Sequence, residues 1–177
     1  MMEKSDMEKK MTSVIFFEVE GEQFAIDLLN SREIVPKGQI RRLPQTYEYV
    51  EGIYNYRGEI IYIINLSKKL QLYKYKHLHA QAQKSNEEVA IEKSDTQYII
   101  IVSINDVNTG FLVDRVINIS HLKAKDIVGL SPIFETSISM EYIRGIIKSK
   151  DHPRILLDAE KILTEAEQVK IQKELSK

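Results

Sequence analysis

Six short stretches of the chain are apolar on both faces or nearly so: VIFFEV (14–19), QFAIDL (23–28), EIIYIINL (59–66), QYIIIVSI (97–104), GFLV (110–113) and VINI (116–119). Their β-branched and aromatic residues pack well on a pleated surface and predict strands. Turn signals fall between them: Glu20-Gly21, Arg57-Gly58, and Asn105-Asp106 with Asn108. Several short strands at this spacing predict antiparallel barrels or a sandwich. The stretch 60–64 has no polar face, which suits the wall of a small barrel whose outer side is also covered.

The pattern occurs twice. At a shift of 93, TYEYVEGI (46–53) lies on SMEYIRGI (139–146), and YIIN (62–65) lies on ILLD (155–158). At a shift of 85, AIDLLNSREI (25–34) lies on GFLVDRVINI (110–119), and FFEV (16–19) lies on IVSI (101–104). An internal duplication follows, with two similar units over 14–70 and 97–163, each near the lower size limit for an independent core and sharing apolar surface. In both units a short helix is expected, capped by Thr46 or Ser139 and ended by Gly52 or Gly145.

The intervening segment 71–96 is polar, basic at first (Lys74, Lys76, His77, His79) and then acidic (Glu87, Glu88, Glu92). It reads as a long surface connector, and residues 1–13 as a flexible N-terminus. From 158 to 177 a helix and tail are expected. Asp158 would be the N-cap, and Ala159, Ile162, Leu163, Ala166 and Val169 would form the packing stripe.

Composition narrows the function. The chain has 177 residues and a formal net charge of −1. It therefore lacks the basic excess of a non-specific nucleic-acid binder. It has no cysteine, which excludes disulfides and thiolate sites and fits a cytoplasmic protein. MMEKSDMEKKM does not read as a signal peptide, and the longest apolar run is far short of the ~20 residues of a membrane span, so no direct membrane insertion is expected. His77 and His79 lack a third ligand at recognisable spacing, so no metal site is assigned. No glycine-rich phosphate loop and no hydrolase or metalloprotease motif is present. Asp27, Asp114 and Asp158 sit at strand ends, where acids cap turns. No catalytic residue and no cofactor is assigned.

One alternative is a barrel that binds single-stranded nucleic acid. Tyr47, Tyr49, Tyr54, Tyr56 and Tyr62 stand near Arg41, Arg42 and Arg57, although Glu48, Glu51 and Glu59 are interleaved with them.

The order of motifs resembles the chemotaxis coupling protein family, CheW. Gly52-Ile53, then Asn55-Tyr56-Arg57-Gly58, then the strand Ile60 to Leu66 fill that family's glycine, N-x-R-G hairpin and apolar-strand pattern. AIDLLNSREI, GFLVDRV and the phrase from Glu141 to Gly145 fill three further places, and the resemblance runs from about 14 to 165. It implies an all-β fold of two five-stranded SH3-like β-barrels with short helices and a C-terminal helix. It also implies a non-enzymatic adaptor that couples chemoreceptors (methyl-accepting chemotaxis proteins) to the histidine kinase CheA. The implied partners are a chemoreceptor cytoplasmic tip and the regulatory domain of a CheA-type kinase, and the implied place is a chemoreceptor array. The residues it marks for partner contact are Ser31, Glu33, Ile34, Val35, Gly52, Asn55, Arg57 and Gly58. Ser31 departs from an apolar family position, and Asn65 from a strand-ending aspartate. We expect Arg57 to pair with Glu33, which orients the hairpin, and Gly52 to leave room for a partner's approach.

Overall fold

The computed structural model describes residues 10–44, 46–72, 96–131, 136 and 138–176. The strands are β1 (Met11–Val19), β2 (Glu22–Asp27), β3 (Ser31–Pro36), β4 (Val50–Tyr56), β5 (Glu59–Asn65), β6 (Tyr98–Ile104), β7 (Val107–Val113), β8 (Arg115–Lys123), β9 (Ile127–Val128), β10 (Ile143–Ile147) and β11 (Arg154–Leu157). Among the described residues two α-helices accompany them, α1 (Leu66–Lys69) after β5 and α2 (Glu165–Leu175) after β11. All six strands expected from the apolar stretches are present. The expected flexibility of residues 1–9 and the role of the connector over 73–95 lie outside the described residues, whereas residues 11–13 already belong to β1.

The strands form two sheets, in the orders β8-β1-β2-β11-β10-β9 and β3-β6-β7-β5-β4. The expected boundaries, with one barrel over 14–70 and another over 97–163, are therefore corrected. Each repeat gives its opening hairpin to the other repeat's sheet. The β1–β2 hairpin sits among β8 to β11, and the β6–β7 hairpin sits among β3, β4 and β5. The two orders match strand for strand, and β9 adds a sixth strand to one sheet. Its counterpart in the other is the single bridge Arg41–Ile53.

The ladders repeat in detail. The β3–β6 pair bulges at Arg32 and the β1–β8 pair at Ile117, 85 residues apart. The β4–β5 pair bulges at Glu51 and the β10–β11 pair at Arg144, 93 apart. Both repeat shifts read from the sequence thus recur as register. An extra residue at a bulge bends and twists its strand, which is how a small sheet curls on itself.

Three clusters fill the interior. Ile61, Ile63, Ile99, Ile101 and Leu112 lie within the first barrel. Val14, Phe16, Ala25, Ile147 and Leu156 lie within the second. The largest cluster lies between the barrels and includes Ile15, Phe17, Val19, Tyr62, Ile64, Ile100, Val102 and Phe111. Alternate side chains of a strand point to opposite faces. So β1 and β6 fill a barrel with one face and the shared core with the other.

Two helix expectations are corrected. Residues 46–52 and 139–145 are a turn and a 3₁₀ turn (Met140–Tyr142), each leading into a strand, and Gly52 and Gly145 lie inside β4 and β10. Ile53 and Tyr54 after Gly52, and Ile146 and Ile147 after Gly145, favour the strand. At the C-terminus, Asp158 caps only a 3₁₀ turn, Ala159–Lys161, and α2 starts anew at Thr164. A capping box fixes that start: Thr164 Oγ1 accepts from the Glu167 N–H, and Glu167 accepts from the Thr164 N–H. The restart shifts the helix phase. Ala166 and Val169 are exposed, while Gln168 and Ile171 are buried.

Glu167 also anchors α2 to α1. Its carboxylate accepts from Lys69 Nζ at 2.7 Å and from the Tyr49 hydroxyl at 2.6 Å. Lys69 is only 8% exposed and lies 4.3 Å from the Tyr49 ring centroid. Burial raises the Tyr49 phenol pKa far above its ordinary value, and the bond to Glu167 adds to this. For Glu167, burial acts upward, but the bonds from Lys69, Tyr49 and Thr164 outweigh it and the carboxyl titrates below the ordinary range.

Two outcomes are expected. Gly52 has φ +151°, and a Cβ there would press on the Arg41 carbonyl. Gly145 lacks the positive φ, and its Cβ would meet the Ile127 side chain at 2.9 Å and the Val128 carbonyl at 3.0 Å. Gly52→Ala should cost about 3 kcal/mol in chemical denaturation, and Gly145→Ala clearly less. Glu167→Gln should cost about 2 kcal/mol at neutral pH. A carboxyl with a lowered folded pKa stabilises above its unfolded pKa and loses that contribution as pH falls through the folded one. The gap between wild type and Glu167→Gln should therefore be flat above about pH 5 and close below about pH 4 in pH-dependent unfolding.

Candidate functional site

Every residue marked for partner contact lies in β3, in β4 or in the turn after β4. These strands are opposite edges of one five-stranded sheet. In a flat sheet they would stand roughly 19 Å apart. Here they meet: Glu33 of β3 accepts a hydrogen bond from the Tyr56 hydroxyl at 2.8 Å and pairs with Arg57 at 3.0 Å. The expected Arg57–Glu33 pair is present, and it joins the two edges of the curled sheet.

The clasp is built outward from the interior. The Tyr56 ring packs against the cluster inside the first barrel. Its hydroxyl holds the Glu33 carboxylate, and the Arg57 guanidinium lies 5.6 Å from the Tyr56 ring centroid. The bond to Glu33 raises the Tyr56 phenol pKa, with burial adding to it, so the hydroxyl stays a donor. The Arg57 side chain remains 74% exposed.

Backbone geometry makes Arg57 unusual. Tyr56 pairs directly with Glu59, so the loop has two residues, and both have positive φ: Arg57 at +52° and Gly58 at +86°. This is a type I′ turn, whose favoured first residue is Asn, Asp or Gly. An arginine in the left-handed region costs about 1–2 kcal/mol. Asn55 offsets part of that, since its side chain accepts from the Gly58 N–H at 2.8 Å. Next to the turn, Asn108 donates to Glu59, and Ile60 is half-exposed.

The other marked residues are mostly structural. Ile34 is half-buried against the shared core and Val35 against the first barrel's interior. Ser31 is half-buried next to the Arg32 bulge. Gly52 is buried, and the close approach it permits is that of the chain's own Ile40–Arg41 segment, not of a partner.

The tyrosines do not form an exposed stacking platform for bases. Tyr62 is fully buried in the shared core, Tyr49 is bonded to Glu167, Tyr47 stacks on Tyr49 at 5.0 Å, and Tyr54 and Tyr56 pack on the first barrel's interior. As expected, Asp27, Asp114 and Asp158 serve turns, accepting from the N–H groups of Leu29, Glu20 and Glu160. Among the described residues no cluster of histidine and acidic groups is arranged to hold a metal, and no helix is long and apolar enough to cross a membrane. His77 and His79 lie outside the described residues. Sequence reasoning missed Tyr56 as the second donor to Glu33. A tyrosine preceding a hairpin arginine was the available signal.

Residues 13–167 match the family model described as CheW-like domain. The chain is 31% identical over 160 residues to chemotaxis protein CheW of Helicobacter pylori, covering 90% of this chain and 86% of that protein. It is 30% identical over 161 residues to chemotaxis protein CheW of Treponema pallidum, covering 89% and 85%. The crystal structure of scaffolding protein TtCheW from Thermoanaerobacter tengcongensis shares the fold, with a TM-score of 0.70 at 26% identity over 88% of this chain and 89% of that one. With the family model spanning both curled sheets and relatives aligned along nearly the full length, this chain belongs to the CheW-like family.

Proposed function

We propose that the protein is a chemotaxis adaptor that holds a chemoreceptor cytoplasmic tip and the regulatory domain of a CheA-type histidine kinase at once, in a chemoreceptor array, and that the clasped hairpin of the first barrel is part of its contact surface. Family membership supports the adaptor role. The observation that carries the hairpin's part is Arg57. It is exposed, held in one orientation by Glu33 and Tyr56, and kept in a backbone conformation that disfavours it. The turn alone is better served by another residue. A planar guanidinium with five donors, fixed in one geometry, suits recognition of an acidic or carbonyl-rich surface.

Asn55, Arg57 and the exposed Gly58 offer direct contact in this reading. Glu33 and Tyr56 orient Arg57, and Ser31, Ile34, Val35 and Gly52 shape the strands behind it. The coupling is a binding free energy shared by two partners on one rigid body. Weak single contacts suffice when many copies are assembled, because the effective concentration is high.

The test measures binding of the full chain to a receptor signalling tip and to a kinase regulatory domain, singly and together. Arg57→Asn should leave stability equal or raise it by up to about 1 kcal/mol, because it relieves the left-handed arginine. It should weaken binding of at least one partner by about tenfold or more. If Arg57→Asn and Arg57→Glu both bind the two partners as wild type does, the hairpin is not a contact surface. Glu33→Arg added to Arg57→Glu separates the roles. Restored binding would show that the pair acts by orientation, and continued loss that Arg57 touches the partner itself.

A further inference from the structure

We propose that the second barrel binds an extended acidic peptide between the end of β8 and the β10–β11 loop, and that the peptide's carboxylates supply what this barrel lacks of the first barrel's clasp. The bulges at Arg32 and Ile117 make β3 and β8 equivalent at a shift of 85, and those at Glu51 and Arg144 make the two hairpins equivalent at a shift of 93. At those shifts Glu33 corresponds to Asn118, Tyr56 to Ser149 and Arg57 to Lys150. The cation is kept, while the carboxylate and the tyrosine that would hold it are gone. The Asn118 side chain instead accepts from the Ser120 hydroxyl at 3.4 Å.

The second hairpin is also open. Pairing in β4–β5 runs to Tyr56–Glu59, whereas in β10–β11 it stops at Ile147–Arg154, the equivalent of Tyr54–Ile61. Pro153 stands at the place of Ile60, and a proline has no N–H with which to continue a ladder. Residues 148–153 are accordingly an exposed loop. Its base is tied to the end of β8. The Lys148 N–H donates to the Asp126 carbonyl at 2.8 Å, and the Asp126 carboxylate accepts from the Lys123 N–H at 2.9 Å. Beside the loop, the Arg154 guanidinium lies 4.7 Å from the ring centroid of Phe16, which fills the barrel interior. Arg154 Nε is buried and finds no acceptor among the described residues.

This end of the barrel is basic. Segments 121–127 and 147–154 hold Lys123, Lys125, Lys148, Lys150 and Arg154 against the acids Asp126 and Asp151. None of these five cations forms an ion pair with a described residue, whereas Arg57, Lys68, Lys69, Arg115 and Arg144 each do. Unpaired cations gathered at one end of a nearly neutral chain create a local positive field. The surroundings favour a peptide among possible anions. Single-stranded nucleic acid stacks its bases on aromatic rings, and the two segments contain no aromatic residue of that kind, no phenylalanine, tyrosine or tryptophan. A membrane surface takes up apolar side chains next to the cations, but Leu122, Ile127 and Ile147 pack on the barrel interior, which leaves half-exposed Met11, opposite Lys123, as a single contact. An extended peptide presents carboxylates on one face at every second residue. It can also pair its backbone with β8, an edge of its sheet.

The probe is a fluorescein-labelled decapeptide of alternating glutamate and threonine, titrated into the full chain at low salt. Binding should weaken as salt is added. Lys148→Glu/Lys150→Glu should bind at least about tenfold more weakly with an unchanged Tm, since both side chains are exposed and outside the ladder. Lys37→Glu/Lys173→Glu, an equal change of charge at exposed positions elsewhere, should stay within about twofold of wild type. Asn118→Glu restores the missing carboxylate to this chain and should compete with the peptide, weakening it by about threefold or more. In wild-type protein, the amide resonances that shift on adding peptide should be those of residues 118–126 and 147–154. The proposal is overturned by a Lys148→Glu/Lys150→Glu protein that binds within about twofold of wild type, or by amide shifts that fall elsewhere. Tighter binding of a thymidine decanucleotide or of phosphatidylserine vesicles than of the peptide at this end overturns it as well.

Discussion

The fold depends on two hairpins that have no solvent face. In β1, Val14 and Phe16 enter the second barrel, while Ile15, Phe17 and Val19 enter the core between the barrels. In β6, Ile99 and Ile101 enter the first barrel, while Ile100, Val102 and Ile104 enter the same shared core. Each fully buried aliphatic or aromatic side chain contributes ~1.5–3 kcal/mol, and neither face of these strands can be given up to water. A hairpin buried on both faces needs a barrel on one side and a second barrel on the other. Reciprocal donation meets that need twice with one arrangement, which is why the two sheet orders, their bulges and their parallel pairs correspond. The narrow interior shows it too, since Gly110 in one barrel occupies the place of Ala25 in the other, and a larger side chain at Gly110 would meet Ile63 and Ile99.

The strands and the duplication were legible because they are local patterns repeated at fixed shifts. The exchange was not. Pairing of β1 with β8 or β5 with β7 leaves the same alternation in the sequence as pairing within one half, since buried strands carry no polar face to show which neighbour covers them. The strands β3, β4 and β10 were harder for another reason. No residue of β3 is fully buried, so it lacks an apolar run, and β4 and β10 hold a glycine that resembles a helix stop. At Gly52 the glycine serves instead a bulge pressed against the Arg41 backbone.

The C-terminal helix shows the same divide between local and distant signals. Its apolar stripe read correctly through Leu163 and failed after it, because Thr164 and Glu167 form a capping box that restarts the helix in a new phase. The motif is visible in the sequence, T-x-x-E, and outranks a stripe that simply continues. The groups Glu167 then holds are 98 and 118 residues away. No spacing rule reaches that far, so nothing local in the sequence marks Lys69 as a buried lysine.

The hairpin site is where local preference and global structure disagree, and such disagreements concentrate at functional positions. Arg57 is legible as an oddity from sequence alone, because R-G is a poor type I′ pair beside N-G. What makes it a recognition element in the proposed role is the chain of restraint beneath it. The Tyr56 ring is fixed by the first barrel's interior, Tyr56 fixes Glu33, and Glu33 fixes Arg57. An exposed ion pair adds only ~0–1 kcal/mol to stability, so the clasp is not explained by the stability it confers. Its effect is to remove orientational freedom from the guanidinium before a partner arrives, which lowers the entropy lost on binding. An adaptor that joins two proteins through modest surfaces gains most from that kind of restraint. The double-faced core supplies it, because a sheet wedged between two packed interiors cannot yield when its edge is loaded.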